Sequence, residues 1–447
     1  HSQETPTLYF LHSGLPHLPW TYLPNGQQYA LRGASVRGVA NSRTDDGTYP
    51  KWLEDEWLVK QGYQRHLLQT AFVDRLLGKL LSKLKEVDLF DRSLVVVTAD
   101  HGVSFRPGDF IRRASKTNHP DIMSVPMLVK TPFQREGVTS DRNVETIDIL
   151  PTIADVLDVV PPWPLDGSSV LEESRPERTT KTVFAGSRKR YEFDGSFEIR
   201  FKNLSEKLRL FGSGTESNLY AIGPFSNLIG RRVSEIGVAG STQQRVELDG
   251  VQFFEDVRLD SRFLLTNITG LFTSPVSAPH VLAVSVNGVV QAVTQTSPLL
   301  HEGRDFAALV ARKAFRPGRN TVELFSVVEL GGRTSLRRCR SETHSSYRLV
   351  PSPERQEEAL LSPDGNHLPV GGSDVYGQVR SGENQESSTV YVRGFALDVK
   401  RAQPVQSVLI FANEELLHSG KTRIMRADVS RRFGESSMTS GFEFEFS

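Results

Sequence analysis

The residues with the clearest chemical potential are Asp100 and His101, which follow the apolar run Leu94 to Thr98 in the stretch SLVVVTADHGVSF. Carboxylate oxygens and imidazole nitrogens both bind divalent cations. Past the end of a strand the backbone can turn, so that two neighbouring side chains point toward the same cation. Asp100 and His101 are therefore candidate metal ligands. A loop aspartate beside a half-exposed histidine is the alternative interpretation of any isolated Asp-His pair.

The elements around this pair indicate an α/β domain. TLYFLHSG, SLVVVTA and VPMLVKTP are short apolar runs of the strand type, and a long amphipathic helix is predicted from WLVKQGYQRHLLQTAFVDRLLGKLLSKLKEV. The unalternating SLVVVTA is typical of a parallel strand that is covered on both faces. Ligands of parallel sheets bind at the carboxyl ends of the strands, which is where Asp100 and His101 lie.

The texture of the chain changes near residue 180, where short β-rich runs such as LAVSVNGVVQAVT and TVYVRGFALDV replace the helical periods. We predict an α/β domain over 1–175, a connecting β-rich extension over 176–240 and a β-sandwich-like module over 241–350. A polar linker over 351–373 precedes a second such module over 374–447. Its last run, GFEFEFS, stops abruptly, as a truncated module would.

Composition excludes several classes of protein. Basic and acidic residues balance at 53 each, so no net field favours nucleic acid, which we exclude as a partner. The single cysteine, Cys339, excludes a disulfide framework, and its β-rich surroundings suit a buried structural thiol. The chain begins with His1 and has no apolar run of about 18 residues that would span a bilayer. We expect it to be a piece of a longer protein.

The ordered segments TADHG, VPMLVKTP, ETIDILPTIADVLD and PLDGSSV resemble the distal half of the catalytic domain of sulfatases and their relatives in the alkaline phosphatase superfamily. The resemblance covers about the first 170 residues. It implies a partial alkaline-phosphatase-like parallel-sheet domain, here followed by one or two β-sandwich-like domains. It also implies that Asp100 and His101 bind the catalytic divalent metal, which is Ca, Mn, Mg or Zn. The Asp-His pair favours the phosphatase and phosphotransferase branches over the many arylsulfatases that carry Asp-Asn.

The same resemblance suggests catalytic roles for three further residues. In HSGLPHLPW, His17 matches the family histidine that contacts the anionic group or the leaving oxygen, to which an imidazole can donate a proton. Lys116, nine residues before Val125, matches the sulfatase lysine that meets the sulfate, whereas phospho-transferring relatives use a histidine in this loop, here His119. Packing of the first histidine beneath aromatic residues, and simple exposure of the other two side chains, are the alternatives.

The family's nucleophile and its other metal carboxylates lie in the half of the domain that precedes this segment. We therefore expect the full-length protein to be a metal-dependent hydrolase or transferase of phosphate or sulfate esters, and this chain alone to be inactive. The expected substrate is an anionic small-molecule, lipid or glycan ester. The resemblance also implies a location outside the cytoplasm or at a membrane, with anchoring through segments absent here. The alternative is a non-catalytic scaffold whose β-modules bind a surface glycan or a partner protein.

Overall fold

The computed structural model describes residues 6–29, 36–44, 47–175, 177–185, 189–196, 198–212, 216–249, 251–277, 279–342, 348–351, 358–361, 367–369, 375–384, 389–405, 407–412 and 415–446. The chain divides into two compact units. The first unit contains residues 1–16, 41–59 and 70–212, and the second contains residues 17–40, 60–69 and 213–447. Mixed α/β structure with further β-rich regions agrees with the predicted fold class at this level.

The helices of the described residues are α1 (Glu56–Glu86), α2 (His119–Met123), α3 (Ile149–Val156), α4 (Ile199–Phe211), α5 (Val233–Ile236) and α6 (Ala427–Phe433). The predicted long helix is confirmed in α1. It begins where the Asp55 side chain accepts a hydrogen bond from the Leu58 amide at 3.0 Å, and it ends with Lys83 and Lys85 in its last turn, where cations favour the helix dipole. Among these helices none has the length and apolar character that crossing a membrane requires.

The strands are β1 (Val39–Thr44), β2 (Gly47–Trp52), β3 (Val95–Thr98), β4 (Met127–Lys130), β5 (Thr180–Ala185), β6 (Lys189–Asp194), β7 (Val238–Leu248), β8 (Asn267–Phe272), β9 (Val281–Val286), β10 (Val289–Gln295), β11 (Asp305–Leu309), β12 (Val322–Leu330), β13 (Arg333–Glu342), β14 (Arg348–Pro351), β15 (Glu358–Leu361), β16 (His367–Pro369), β17 (Val375–Asn384), β18 (Thr389–Asp398), β19 (Gln403–Pro404), β20 (Val408–Ala412), β21 (Glu415–Gly420) and β22 (Gly441–Phe446). They form several separate sheets, most of them with two to four strands.

The strands that flank the candidate metal ligands pair differently from the prediction. β3 and β4 were predicted as strands of a parallel sheet, but they form an antiparallel pair in which Val95 lies opposite Lys130 and Thr98 opposite Met127. The reason is the path between them: the Gly102 amide donates to the Ile122 carbonyl at 2.6 Å, so the chain returns to the carboxyl end of β3 before β4 begins. A strand that starts there can only run back along its neighbour.

The predicted helix TIDILPTIADVLDVV begins at a buried charge cluster. Asp148, fully buried before α3, accepts hydrogen bonds from Arg178 at 2.6 and 2.7 Å and from Arg175 at 3.3 Å. Burial alone would raise the pKa of Asp148, but the hydrogen bonds from Arg178 and from backbone amides hold it well below its ordinary value. The Ser168 amide also donates to Asp148, which ties the segment PLDGSSV to the start of α3.

The second unit contains a seven-stranded mixed sheet with strand order β10-β9-β12-β13-β7-β8-β11. All of its pairings are antiparallel except the one between β13 and β7. The end strands approach each other, because the Thr294 hydroxyl of β10 donates to the Ala307 carbonyl of β11 at 2.6 Å. This single curled sheet confirms β-rich structure after residue 240, and its description as a β-sandwich stays a prediction.

The core of this sheet is apolar and closely packed. Its largest fully buried members include Phe272, Phe306 and Phe325. Cys339 is also buried, 4% exposed, and lies 3.4 Å from the Ser326 hydroxyl, as expected for a structural thiol. Burial raises the pKa of this thiol above its ordinary value.

The C-terminal part has its own small sheet, in which β17, β18 and β19 follow one another and β22 pairs with β18. GFEFEF is therefore a strand, as its alternation predicts. Strands β15 and β16 lie within the predicted linker over 351–373. Since the two compact units interleave along the chain, the contiguous domain boundaries stay a prediction.

The first unit exposes many apolar side chains. Leu8, Tyr9, Phe10 and Leu11, in the run TLYFLHSG, are 75–87% exposed and belong to no helix or strand. The predicted strand is absent here because a strand forms only where its amide and carbonyl groups find partners. Leu128 of β4 is 57% exposed, which further sets this unit apart from the closed core of the seven-stranded sheet.

Candidate metal and substrate site

Asp100 and His101 lie just past the carboxyl end of β3, as predicted. Asp100 Oδ1 accepts a hydrogen bond from the His101 amide at 2.9 Å, and Asp100 Oδ2 lies 3.7 Å from His101 Nε2. The Asp100 side chain is 78% exposed and the His101 side chain 30% exposed. Both donor atoms therefore lie at the surface of the first unit, close enough to share one cation.

The hydrogen bonds of His101 define its tautomer. Nδ1 lies 2.7 Å from the Gly102 carbonyl oxygen, which can only accept, so Nδ1 carries the proton. Nε2 lies 3.1 Å from Nη2 of Arg112, which can only donate, so Nε2 presents a lone pair. A histidine whose Nδ1 donates to a backbone carbonyl and whose Nε2 is a base has the arrangement found in many metal-ligating histidines.

The backbone beyond His101 is held against α2. The Gly102 amide donates to the Ile122 carbonyl, and a Cβ atom at position 102 would lie 2.0 Å from the Asp121 carbonyl oxygen. Only glycine permits this approach. Gly102 therefore positions both the carbonyl that orients His101 and the turn that presents Asp100.

The loop between Gly102 and α2 is held by a network that the sequence did not suggest. Asn118, fully buried, donates to the carbonyls of Phe110 and Arg113 and accepts from the Ser115 amide. Asp109 accepts a 2.6 Å hydrogen bond from the Thr117 hydroxyl. These polar residues resemble ordinary loop composition, and only the folded chain shows that they fix the loop that carries Arg112 and Lys116.

The three arginines of this loop have different partners. Arg106 pairs with the buried Asp121 at 2.9 Å, and Arg113 lies over the ring of Tyr49 at 5.2 Å. Arg112 is exposed and contacts His101. Of the three, Arg112 is thus the one whose contact lies at the candidate metal ligands.

Lys116 and His119 occupy contrasting environments. Lys116 is exposed, whereas His119 is 6% exposed and stacks on Phe193 with ring centroids 3.6 Å apart. His119 Nδ1 lies 3.0 Å from the Lys116 carbonyl oxygen, so the ring donates there. Burial lowers the pKa of His119 below its ordinary value, which keeps the imidazole neutral near pH 7.

His17 belongs to the second compact unit, whereas the other four predicted residues belong to the first. Its side chain is exposed, and Nδ1 lies 2.6 Å from the Leu18 carbonyl oxygen. The buried Gln69 holds the loop by donating to the His17 carbonyl and accepting from the Thr21 amide, both at 2.9 Å. Trp20 packs edge-on against His66. The role of His17 stays a prediction.

The donor atoms fit two positions of a divalent metal site. Two ligands at about 2.4 Å from one cation, at right angles, lie about 3.4 Å apart, which is near the 3.7 Å between Asp100 Oδ2 and His101 Nε2. Within the described ranges no cluster of three or more His, Cys, Asp or Glu side chains has the geometry of a metal site. Asp100 and His101 would thus hold part of a coordination shell.

Comparison with known proteins agrees with the resemblance seen in the motifs. Residues 1–159 match the family model described as Sulfatase, which supports the resemblance to the sulfatase superfamily. The chain is similar to an ulvan-active sulfatase of Formosa agariphila, with 26% identity over 38% of this chain and 32% of that protein. It is also similar to arylsulfatase K of Homo sapiens, with 28% identity over 23% of this chain and 18% of the relative.

A third relative is the uncharacterized sulfatase YidJ of Escherichia coli, which is 29% identical over 26% of this chain and 23% of its own length. The chain thus spans about a third or less of the curated relatives it matches. No solved structure matches the chain, so the alkaline-phosphatase-like fold has no support from structural neighbours.

Proposed function

We propose that the full-length protein is a metal-dependent sulfatase-like enzyme that acts on sulfate or phosphate esters. The observation that carries the proposal is the arrangement of Asp100 Oδ2 and His101 Nε2, 3.7 Å apart at the end of β3, with the imidazole orientation fixed by the Gly102 carbonyl. The Asp100 carboxylate suits Ca, Mn, Mg or Zn, whereas the His101 imidazole suits Zn better than Ca or Mg. The similarity of residues 1–159 to sulfatases favours a divalent metal in general.

The metal and the other candidate residues of this chain would have separate roles in catalysis. A bound divalent ion supplies Lewis-acid stabilisation of the ester's oxygens. The ammonium of Lys116 meets the anionic group from the exposed loop. The role of His17 at the leaving oxygen stays the prediction that the resemblance implies. His119 supports the loop through its stack on Phe193 and its hydrogen bond to the Lys116 carbonyl.

Sulfate esters are the substrate class that the relatives favour, because the ulvan-active sulfatase and arylsulfatase K are sulfatases by name. The Asp-His pair remains an argument for phosphate esters. Transfer to an acceptor other than water is a further possibility within this proposal. Glycan, lipid and small-molecule esters all supply the anionic group that the exposed lysine and the metal would bind.

We also propose that this chain alone is inactive. The described residues would supply two metal ligands, Asp100 and His101, and the apolar side chains of residues 8–11 are 75–87% exposed. The nucleophile and the remaining metal ligands would come from a polypeptide segment that also pairs with residues 8–11. A location of the full-length protein outside the cytoplasm or at a membrane is part of the same proposal, by analogy with the family.

The test compares the full-length protein with its Asp100→Ala variant, using aryl sulfate and aryl phosphate esters and direct measurement of bound metal. We expect the substitution to remove the metal and to lower turnover by at least about 10³-fold, because substrate charge is then unneutralised. Asp91→Ala is the matched control, since Asp91 is an exposed carboxylate that pairs with Arg135 at 3.4 Å. Its turnover should stay within about twofold of the parent.

Two results contradict the proposed activity and metal site. One is normal turnover in the Asp100→Ala protein, which would remove the ligand assignment. The other is a full-length protein with neither bound metal nor turnover on either ester, which would favour the non-catalytic scaffold. Turnover by residues 1–447 alone would contradict the claim that this chain is inactive.

A further inference from the structure

The contact between Arg112 and His101 lies at the atom that would bind the metal. Arg112 Nη2 is 3.1 Å from His101 Nε2, whose lone pair is the one available for coordination because Nδ1 is protonated. An imidazole nitrogen has one lone pair, so it serves either a hydrogen-bond donor or a cation. A guanidinium has N–H donors and no acceptor, so Arg112 can only occupy this lone pair as a donor.

We propose that Arg112 is a built-in competitor for the metal site: its guanidinium holds the ligating lone pair of His101 and must be displaced when a divalent cation binds. This inference rests on the proposed metal site. Arg112 would then act as a positioning residue that keeps the imidazole in its ligating orientation while lowering the affinity for the cation.

When a cation binds to His101 Nε2, the surroundings favour movement of the Arg112 side chain and not of the His101 ring. The imidazole is fixed from the other side by the Gly102 carbonyl, which the Ile122 contact holds in place. Arg112 lies at the exposed surface, where its guanidinium can be rehydrated once the hydrogen bond breaks. The cost of metal binding at this ligand is therefore mainly the loss of one hydrogen bond and the repulsion between a guanidinium and a divalent ion.

The contact distinguishes Arg112 from its neighbours. Arg106 is paired with Asp121, which also accepts from Lys207 at 3.1 Å, and Arg113 lies over aromatic rings. Because these two arginines are held elsewhere, their removal would change the local charge without changing the hydrogen bond to Nε2. The proposed competition is thus a property of one side chain.

The experiment measures binding of Mn²⁺ and of Ca²⁺ to the full-length protein by calorimetry, without any turnover assay, because the proposed metal site is complete only there. Arg112→Gln should bind the metal about 2- to 12-fold more tightly than the parent chain, which is the factor that one net hydrogen bond represents. Lys116→Gln removes the same positive charge from the same loop and is the control for a purely electrostatic effect. Its change in affinity should be clearly smaller.

A second measurement reads the contact itself. In the chain with ¹⁵N-labelled histidine and no added metal, Arg112→Gln should shift the Nε2 resonance of His101 and leave its Nδ1 resonance nearly unchanged. Unchanged or weaker metal binding in Arg112→Gln, or equal tightening in Lys116→Gln, would overturn the competition alone. Failure of every variant and of the parent to bind either metal would overturn both the competition and the metal site that the proposed function requires.

Discussion

Lys116 and His119 are both candidates from the sequence for neutralising the oxyanion of the substrate. Their environments in the structure differ. A group that neutralises an oxyanion has to reach it and carry charge. Lys116 is exposed, whereas His119 is stacked on Phe193 and kept neutral near pH 7 by the burial that lowers its pKa. At the residue scale, we therefore propose that Lys116 meets the anionic group and that His119 has a structural role.

In the full-length protein, Lys116→Gln should lower kcat/KM by about 10²-fold while leaving the melting temperature unchanged, because an electrostatic contact to the reacting group is lost. His119→Gln should mainly lower the free energy of unfolding, by about 1–2 kcal/mol, through loss of the stack on Phe193. Steady-state kinetics and thermal unfolding of both variants check this. The reverse pattern, with His119→Gln inactive and fully stable, would assign the ligand role to His119.

The position of Asp100 and His101 could be predicted from the sequence because it depends on a local feature, an apolar strand that ends in Asp-His. Their role as metal ligands stays a prediction. The tautomer of His101 could not be predicted, since it depends on Arg112, eleven residues away. The hydrogen bond from Asn118 to the carbonyl of Phe110 likewise depends on how the loop folds. Sequence patterns indicate which side chains can do chemistry, whereas the hydrogen bonds that orient them arise only on folding.

At the scale of elements, the close approach of the chain after β3 to the backbone of α2 is the contact that shapes the site. Gly102→Ala would place Cβ 2.0 Å from the Asp121 carbonyl oxygen, so the backbone must separate and the 2.6 Å hydrogen bond to Ile122 must break. We expect a loss of about 2–3 kcal/mol in the free energy of unfolding, measured by denaturant titration.

Gly78→Ala provides the matched control for this substitution. Gly78 lies inside α1, and an added Cβ there meets nothing within 4 Å. The same chemical change should therefore stabilise the chain by about 0.5–1 kcal/mol, because alanine has the higher helix propensity. Equal effects of the two substitutions would show that crowding at Gly102 does not determine the local structure.

The strands show how far periodicity can be used. VVVT and MLVK are strands, as their apolar runs predict, but the direction of pairing was wrong. An apolar run indicates burial, and parallel pairing was inferred from the alternation of strands and helices. The connection here contains only the five-residue α2 and folds back on the end of β3, a path that no local pattern reveals.

At the scale of the whole molecule, the β-rich part closes its own core, whereas the sulfatase-type part exposes apolar residues in its described segments. The rings of Phe272 and Phe306 are fully buried in the seven-stranded sheet, while Tyr9 and Phe10 are more than 80% exposed. Consecutive exposed apolar residues of high β propensity favour pairing with another chain segment. This contrast was not readable from composition, because both parts have similar apolar runs.

The double substitution Tyr9→Ser and Phe10→Ser should reduce self-association of the 447-residue chain, measured by sedimentation velocity, without changing its melting temperature. In the full-length protein the same change should lower the melting temperature by several degrees, because the residues would there be buried in a sheet. Thr7→Ser is the control that leaves the apolar surface intact. If the double substitution left the melting temperature of the full-length protein unchanged as well, the proposed sheet partner would be contradicted.

The position of Cys339 has a practical consequence. It is the only cysteine of the chain, it is 4% exposed, and burial holds its pKa above the ordinary value, so it forms little thiolate under labelling conditions. A cysteine introduced on the exposed loop beside β3 would then be the one thiol that a maleimide fluorophore modifies rapidly. The loop could therefore be labelled with a fluorophore without first replacing Cys339.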